Sequence, residues 1–436
     1  MNFRVPWKFR RSLIVALTAI LTASPITLLA LPMVILLGYS ALFPPMSAKA
    51  EAKVSASQTE KTATSEQRTS PWTIQNSGTT ASLRGIYSVD GKIAWASGTG
   101  GTVLRTTDSG ERWQKCALPN PTAEALDFRG IQAWDALTAI VMASGPGDKS
   151  VLYKTTDGCK SWTLLFKNPD TPDGFFDSFW IDPTGRGYLL GDPVRGLFTV
   201  FWTHDRGLHW QREFRENLNI GSVDLGAFAA SNASILRGRS DSGPARNIPV
   251  LFAAGGKGGS FVFSRSSGLC TMKIAQDNPQ ECDKPEYSEW TEIPVPIISG
   301  SASTGIFAVA LHQNFADRWR MTAEQEQVGF HQVIVAVGGD YAKPNETQGT
   351  AAWSDDEGKT WTASQKPPHG YRSSVAWSAE LRAWIAAGTN GSDISRDDGK
   401  TWQSLDDSNW NALSPPFVVG PNGKIARLSI QARAEK

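Results

Sequence analysis

Net charge, histidine and cysteine are all scarce in this chain of 436 residues. Lysine and arginine number 43 and aspartate and glutamate 42, so the formal net charge of +1 gives no electrostatic reason to expect nucleic acid as a partner. The five histidines and four cysteines show no close metal-ligand spacing, and the sequence contains no phosphate-binding loop or dinucleotide fingerprint. We therefore predict no metal and no other cofactor.

Charge is absent altogether from a long stretch near the N-terminus, residues 12–43. Four basic residues precede it: Arg4, Lys8, Arg10 and Arg11. The stretch is long enough to span a bilayer, and residues 48–50 resemble a small-residue cleavage site. We predict that residues 1–50 are a signal peptide or a membrane anchor, with cleavage left open, and that the rest of the chain is periplasmic or extracellular. The polar composition of residues 51–70 predicts a disordered linker.

Glycine and tryptophan are abundant by contrast, with 40 and 17 copies, and many belong to one repeated phrase. The phrase reads hydroxyl, any residue, Asp, any residue, Gly, two residues and Trp, and its clearest copy runs from Ser354 to Trp361. The copies that keep both the Asp and the Trp are Asp108 and Trp113, Asp157 and Trp162, Asp205 and Trp210, Asp356 and Trp361, and Asp397 and Trp402. The second copy has Cys159 in place of the glycine, and a sixth near Gly268 lacks the Asp.

Each copy of the phrase predicts a hairpin turn. Asp and Ser/Thr side chains accept hydrogen bonds from nearby backbone amides, and glycine supplies the left-handed residue that such turns need. The tryptophan begins the returning strand with a large apolar face to bury. We therefore assign these aspartates and tryptophans a structural role, because single carboxylates on separate turns do not make a metal site.

The strand-like runs around the copies divide residues 71–436 into repeated units of four strands. Six units are complete, and the last one lacks a Trp strand that Pro71–Ile74 can supply. Closure by an N-terminal strand removes the free sheet edges that an open array would expose. The sequence therefore predicts an all-β fold, a seven-bladed β-propeller of four-stranded antiparallel blades, preceded by an N-terminal hydrophobic helix.

The repeated phrase resembles the BNR or Asp-box repeat of propellers that include sialidases, sortilin-type domains and photosystem II stability/assembly factor-like proteins. The similarity is greatest to bacterial members of the last group, through phrases beginning at Leu83, Gly101, Gly338 and Val419. It covers about residues 71–430. The resemblance implies the propeller fold and, from the photosynthetic members, an assembly chaperone without catalysis.

In a propeller, the first strand of every blade lines the central channel, and ligands usually bind at one mouth of it. Aligning these strands places seven residues on the channel: Arg84, Arg129, Asp177, Phe228, Phe307, Arg372 and Asn411. Three converging guanidinium groups would clamp a carboxylate or phosphate. We expect Asp340, Tyr341 and Lys343, which follow an inner strand, to reach the same mouth. The alternative is that each arginine pairs locally and only seals the channel.

A sialidase-like glycoside hydrolase or lyase acting on surface glycans is the alternative function. Sialidases also use an arginine triad, with a Tyr/Glu pair and an acidic Asp. The sequence contains no Arg-Ile-Pro signature, and Tyr341 and Tyr371 have no evident Glu partner. The seven predicted blades also exceed the usual number in sialidases. We therefore assign no catalytic residue.

The cysteines suit an exported protein. Cys270 and Cys282 flank a polar insertion and are predicted to form a disulfide that closes this loop. Cys116 and Cys159 lie beside the first and second repeated phrases, and the sequence leaves open whether they bridge neighbouring blades or stay free.

These features favour an exported, non-catalytic propeller that binds a protein or peptide, with an anionic ligand group at the arginines. Assembly or stability of a membrane or envelope complex is the expected role. The N-terminal segment is the expected link to the membrane. A purely structural scaffold is a third reading.

Overall fold

The protein is a ring of antiparallel four-stranded sheets, as a computed structural model shows. The structure describes residues 70–117, 119–213, 218–220, 224–237, 250–265, 290–313 and 332–429. The predicted signal or anchor, its hydrophobic helix and all but the last residue of the linker lie outside these residues. Within them, no helix is long and apolar enough to cross a membrane.

Seven blades follow one another along the chain. Blade 1 contains β2 (Leu83–Ser88), β3 (Ala94–Gly98), β4 (Val103–Thr106) and β5 (Gln114–Lys115). Blade 2 contains β6 (Phe128–Ala133), β7 (Ala139–Ala143), β8 (Val151–Thr155) and β9 (Thr163–Lys167). Blade 3 contains β10 (Phe176–Ile181), β11 (Gly187–Val194), β12 (Leu197–Thr203) and β13 (Gln211–Arg212). Two short 3-10 helices, Pro121–Ala125 and Gly147–Lys149, lie in connections.

Blade 4 differs from the others in its innermost strand, which is split in two. Blade 4 contains β14 (Leu225–Gly226), β15 (Ile235–Arg237), β16 (Val250–Gly256), β17 (Phe261–Arg265) and β18 (Trp290–Pro294). Blade 5 contains β19 (Thr304–Gln313), β20 (Gln332–Asp340), β21 (Ala351–Ser354) and β22 (Thr362–Ala363). Both β14 and β15 pair with β16. The placement of Phe228 on a first strand is therefore wrong, because the chain leaves the sheet after Gly226.

The last two blades close the ring. Blade 6 contains β23 (Ser374–Ser378), β24 (Ala383–Gly388), β25 (Gly391–Ser395) and β26 (Gln403–Asp406). Blade 7 contains β27 (Ala412–Ser414), β28 (Phe417–Val419), β29 (Ile425–Leu428) and β1 (Trp72–Gln75). Trp72 of β1 pairs with Leu428 of β29, so the N-terminal strand completes the last blade as predicted. The buried Trp72 ring also lies 6.1 Å from the Trp410 ring.

The hydrophobic core lies between blades rather than in one centre. Each of seven buried clusters joins side chains of two neighbouring blades, such as Trp95 of blade 1 with Phe128 of blade 2. Flat sheets with apolar side chains on both faces can bury both faces only against neighbours, so the closed ring is what completes the core.

The repeated phrases form turns that share the hydrogen bonds of the hydroxyl and of the aspartate. In the clearest copy the Ser354 hydroxyl accepts from the Gly358 amide at 3.0 Å and donates to Asp356 Oδ1 at 2.8 Å. The Asp356 carboxylate also accepts from the Thr360 amide at 2.9 Å, and the Trp361 indole donates to the Gly358 carbonyl at 3.1 Å. These bonds stay within the turn, so the phrase sets its own geometry.

A disulfide joins blades 1 and 2 through Cys116 and Cys159, whose Cα atoms are 5.3 Å apart. Cys159 occupies the glycine position of the second turn with φ 65°, in the left-handed region. The structure thus answers the question that the sequence left open for this pair. Cys270 and Cys282 lie outside the described residues, so their predicted disulfide stays a prediction.

Candidate functional site

Bulges in the innermost strands aim single side chains into the channel. The pairing of β2 with β3 skips Arg84, which lies between the paired residues Leu83 and Gly85. The same shift occurs at Arg129 in β6 and at Asp177 in β10. A bulge leaves one residue out of the ladder and turns it away from its neighbours, so each of these side chains faces the centre of the ring.

Arg372 does not face the channel, contrary to the alignment of the first strands. Its amide donates to the Gly338 carbonyl of the preceding blade at 2.9 Å, just as the Leu83 amide donates to the Gly420 carbonyl at 3.1 Å. Arg372 therefore corresponds to Leu83 and points between blades, and Ser373 corresponds to Arg84. The alignment was one residue out in blade 6, because β23 begins after this position and has no bulge.

The Arg372 side chain is fully buried in a local ion pair. It donates through Nε and Nη2 to Asp393 of β25, whose side chain is also buried. Asp393 Oδ1 lies 2.8 Å from Nδ1 of His369, and this hydrogen bond raises the pKa of His369. Arg372 therefore pairs locally, as the alternative expected, but it lies between blades rather than in the channel.

A plug formed by residues 227–234 crosses the channel. The chain bulges out of blade 4 between β14 and β15, and its Ser231 hydroxyl donates to the Ser373 carbonyl of blade 6 at 2.6 Å. Asn232 Oδ1 accepts from the Phe179 amide of blade 3 at 2.9 Å. Contacts to blades on opposite sides of the ring require the segment to span the centre, so the plug gives the channel a floor.

A cavity of about 340 Å³ lies at the mouth above this floor. We call it the mouth cavity; its lining residues are Arg84, Arg129, Phe175, Asp177, Asp192, Ala227, Phe228, Ala229, Ala230, Phe307, Tyr341 and Tyr371. Phe228 of the plug stacks on Phe307 at 3.9 Å, and Phe307 meets Tyr371 edge to face at 4.8 Å. These rings form an apolar wall beside the charged groups.

The two arginines of the mouth cavity are in different states. Arg129 Nε donates to Asp127 Oδ2 at 2.7 Å. Arg84 forms no ion pair within the described chain, and its buried Nε has no hydrogen-bond partner there. Burial, and then the charge of Arg129, lower the pKa of Arg84. A buried donor without a partner costs free energy, so Arg84 is the group most favoured to take an anion.

Two carboxyl groups line the same cavity. Asp177 is only 1% exposed, and its Oδ2 atom has no hydrogen-bond partner within the described residues. Burial and the neighbouring Asp192 raise the pKa of Asp177 well above its usual range. Burial also raises the pKa of Asp192 to about 6, although its Oδ1 accepts from the Ala227 amide at 3.0 Å. Neither aspartate forms an ion pair with Arg84 or Arg129 in the part of the chain that the structure describes.

Of the three loop residues expected at the mouth, the structure brings one to the cavity. Tyr341 lines it and is 52% exposed. Asp340 is buried and accepts from the Ala342 amide at 3.0 Å, while the Lys343 ammonium lies 3.8 Å from Glu346 at the surface. Asn411 donates to the Leu83 carbonyl at 2.7 Å, away from this lining.

The sequence alignment missed Asp192 and Phe175, because neither belongs to an inner strand. Asp192 follows Gly191 in β11, as Asp340 follows Gly339 in β20, and this shared pattern was the available signal. No group of three or more His, Cys, Asp or Glu side chains suited to a metal occurs within the described residues.

The chain has a curated relative of known name over part of its length. No protein-family model matches the chain. It is 25% identical over 147 residues to the photosystem II assembly lipoprotein Ycf48 of Synechococcus sp. (strain CC9902), over 33% of this chain and 40% of that protein. The chain thus matches less than half of that relative. Over this segment, the predicted similarity to photosystem II assembly factor-like proteins is confirmed.

Two solved structures are among those similar to this chain. A structure described as YCF48 bound to D1 peptide has a TM-score of 0.49 and 18% identity, covering 83% of this chain and 97% of that one. A structure of YCF48 from Cyanidioschyzon merolae has a TM-score of 0.47 and 19% identity, covering 82% of this chain and 98% of that one.

Proposed function

We propose that this chain is an exported, non-catalytic β-propeller that binds a protein or peptide partner at the mouth cavity. Its role is to assist assembly or stability of a membrane or envelope complex. The partner presents an acidic group, which Arg84 and Arg129 bind, while an apolar side chain packs on the aromatic wall.

The observation that carries this proposal is the buried, unpartnered Nε of Arg84. Arg129 and Arg372 each pair with a local carboxylate, whereas no described carboxylate pairs with Arg84. A guanidinium group held in place without its own counter-ion gains most from an incoming carboxylate, which can bind it through two parallel hydrogen bonds.

The partner class is supported by the similarity to Ycf48, which is named as a photosystem II assembly protein. The plug supports binding at the surface rather than passage, because residues 227–234 cross the channel below the cavity. A cavity of about 340 Å³ accommodates a few side chains of a partner segment.

Export is supported by two features. The uncharged stretch of residues 12–43 behind a basic N-terminus has the pattern of an export signal or anchor. The Cys116–Cys159 disulfide is of a kind that persists in oxidising compartments.

A glycoside hydrolase is the second candidate, favoured by the two carboxyl groups of Asp177 and Asp192 in one cavity. Burial raises the pKa of Tyr371, which disfavours a tyrosinate nucleophile of the sialidase type. Turnover of a panel of sialosides and polysaccharides that is lost in Asp177→Asn would establish this candidate instead.

Affinity capture from membrane extracts of the source cells tests the proposal. The baits are the wild-type protein, the double variant Arg84→Gln/Arg129→Gln and the control Arg112→Gln, which removes an exposed arginine in the first repeated turn. We expect wild type and control to recover the same partners and the double variant to lose them. Equal recovery with all three baits would refute binding at the arginines.

A further inference from the structure

The mouth cavity holds acidic and basic side chains that form no ion pair with one another in the described residues. Arg84 and Arg129 line it together with Asp177 and Asp192, yet no ion pair joins the two sets in the described residues. If the cavity had only a structural role, we would expect its arginines and aspartates to form ion pairs, because an opposite charge stabilises the ionised form of each group. Apart from the Arg129–Asp127 pair, these groups remain available to a ligand.

The aspartates of the cavity, like its arginines, include a buried polar atom without a hydrogen-bond partner in the described residues. The Asp177 carboxyl is almost completely buried, and its Oδ2 atom has no hydrogen-bond partner within the described residues. Asp192 lies close enough to raise the pKa of Asp177. Ionising two neighbouring buried carboxyl groups is costly without a cation, and an incoming ammonium or guanidinium group offsets that cost.

The acidic side also opens outwards. A groove of about 820 Å³ shares Asp192, Ala227 and Phe228 with the mouth cavity and runs between blades 3 and 4. Asp173 and Asp224 line it as well. Lys257 pairs with Asp224 at 2.8 Å, whereas Asp173 forms no ion pair among the described residues. A partner segment that leaves the cavity on this side therefore passes further negative charge.

We propose that the segment recognised at the mouth carries both charges: its acidic group binds Arg84 and Arg129, and a nearby lysine or arginine binds Asp177 and Asp192. This inference rests on the proposed peptide-binding function and narrows its partner to a class. A segment with only an acidic group leaves Asp177 buried without a partner. A segment with only a basic group leaves Arg84 buried without a partner. Only a segment with both groups satisfies both ends.

Selection from a random nonapeptide library with free C-terminal carboxylates tests the inference. We expect the wild-type protein to recover peptides in which lysine or arginine lies close to an acidic side chain or the C-terminus. Asp177→Asn/Asp192→Asn should recover acidic peptides without this enrichment, and Arg84→Gln/Arg129→Gln should lose the acidic preference. Asp355→Asn, an exposed residue of a repeated turn, is the matched control and should behave as wild type.

A change in the peptide gives an answer that does not depend on variant folding. Replacing the basic residue of a recovered peptide by glutamine should weaken its binding to wild type about tenfold or more, and hardly affect binding to the double aspartate variant. Recovery of peptides without enrichment of basic residues, or an enrichment that survives Asp177→Asn/Asp192→Asn, would overturn the inference while leaving peptide binding intact. Recovery of no peptide at all would refute the proposed function, and the inference with it.

Discussion

Arg84 and Asp177 line one cavity, and each buries a polar atom that has no hydrogen-bond partner within the described residues. Both side chains reach the cavity from bulges in the innermost strands of their blades. Bulges interrupt the ladder and cost hydrogen bonds, so their repetition at the mouth marks positions where side-chain direction matters more than regular pairing.

The carboxyl groups of the cavity should make stability depend on pH. Burial raises the pKa of Asp192 to about 6, which is higher than in the unfolded chain. Folding therefore favours the protonated form. The free energy of unfolding should therefore fall as pH rises from about 4 to about 6 and stay lower above that. Burial also raises the pKa of Asp177, which acts in the same direction, and the charge of Arg129 opposes this shift.

Asp192→Asn should consequently stabilise the protein at pH 7, by about 1–3 kcal/mol, and should leave stability unchanged below about pH 4. Asparagine keeps the oxygen that accepts from the Ala227 amide. Urea unfolding at several pH values measures the difference. A variant less stable than wild type at pH 7 would contradict the assignment of an uncompensated carboxylate.

The side-chain hydrogen bonds of the plug across the ring should contribute to stability. Asn232→Gly removes the acceptor for the Phe179 amide while keeping the positive φ of 61°, and should cost about 1–3 kcal/mol. Asn422→Gly is the matched control, because Asn422 also has a positive φ, 56°, and is exposed. It should cost about 0.5 kcal/mol or less in the same urea titration. Equal losses would mean that the bond to Phe179 contributes nothing.

The buried ion pair of blade 6 should be structural. Arg372→Met leaves the Asp393 carboxylate buried without its main partner and should cost about 3–5 kcal/mol. Adding Asp393→Asn should recover part of this loss, because it removes the unpaired charge. Thermal or urea unfolding of both variants measures the difference. A single variant as stable as wild type would argue against this role.

The disulfide between blades 1 and 2 should contribute about 2–4 kcal/mol to stability, since it closes a loop with a separation of 43 residues. The variant Cys116→Ala/Cys159→Gly restores the glycine of the repeated turn and should show only this loss. Cys116→Ala/Cys159→Ala should lose about 1 kcal/mol more, because alanine at φ 65° is strained. Identical unfolding curves for the two variants would contradict the strain argument.

Sequence periodicity was sufficient for the fold because the turns are self-contained. The hydroxyl and the aspartate of each repeated phrase bond locally, so the spacing of the phrases reports the number of blades. The missing Trp strand of the last blade points to Trp72. What periodicity cannot give is a departure from the repeat. The plug is such a departure, since nothing local in residues 227–234 indicates that they leave the sheet.

The residues of the site were predicted by aligning the first strands of the blades. This alignment is correct only where a blade follows the common repeat. The bulges at Arg84, Arg129 and Asp177 were aligned correctly because these blades share the irregularity. Blade 6 lacks it, so Arg372 was placed on the channel although it points between blades. Asp192 belongs to a second strand and approaches the cavity only through the packing of blades 3 and 4.

A crystal structure of the protein with a peptide recovered from the library tests the central claim most directly. The account predicts an acidic group of the peptide within about 3 Å of the Arg84 guanidinium, above the plug and beside Phe228. A peptide bound on the outer strands of a blade, with Arg84 left without an anion, would contradict it.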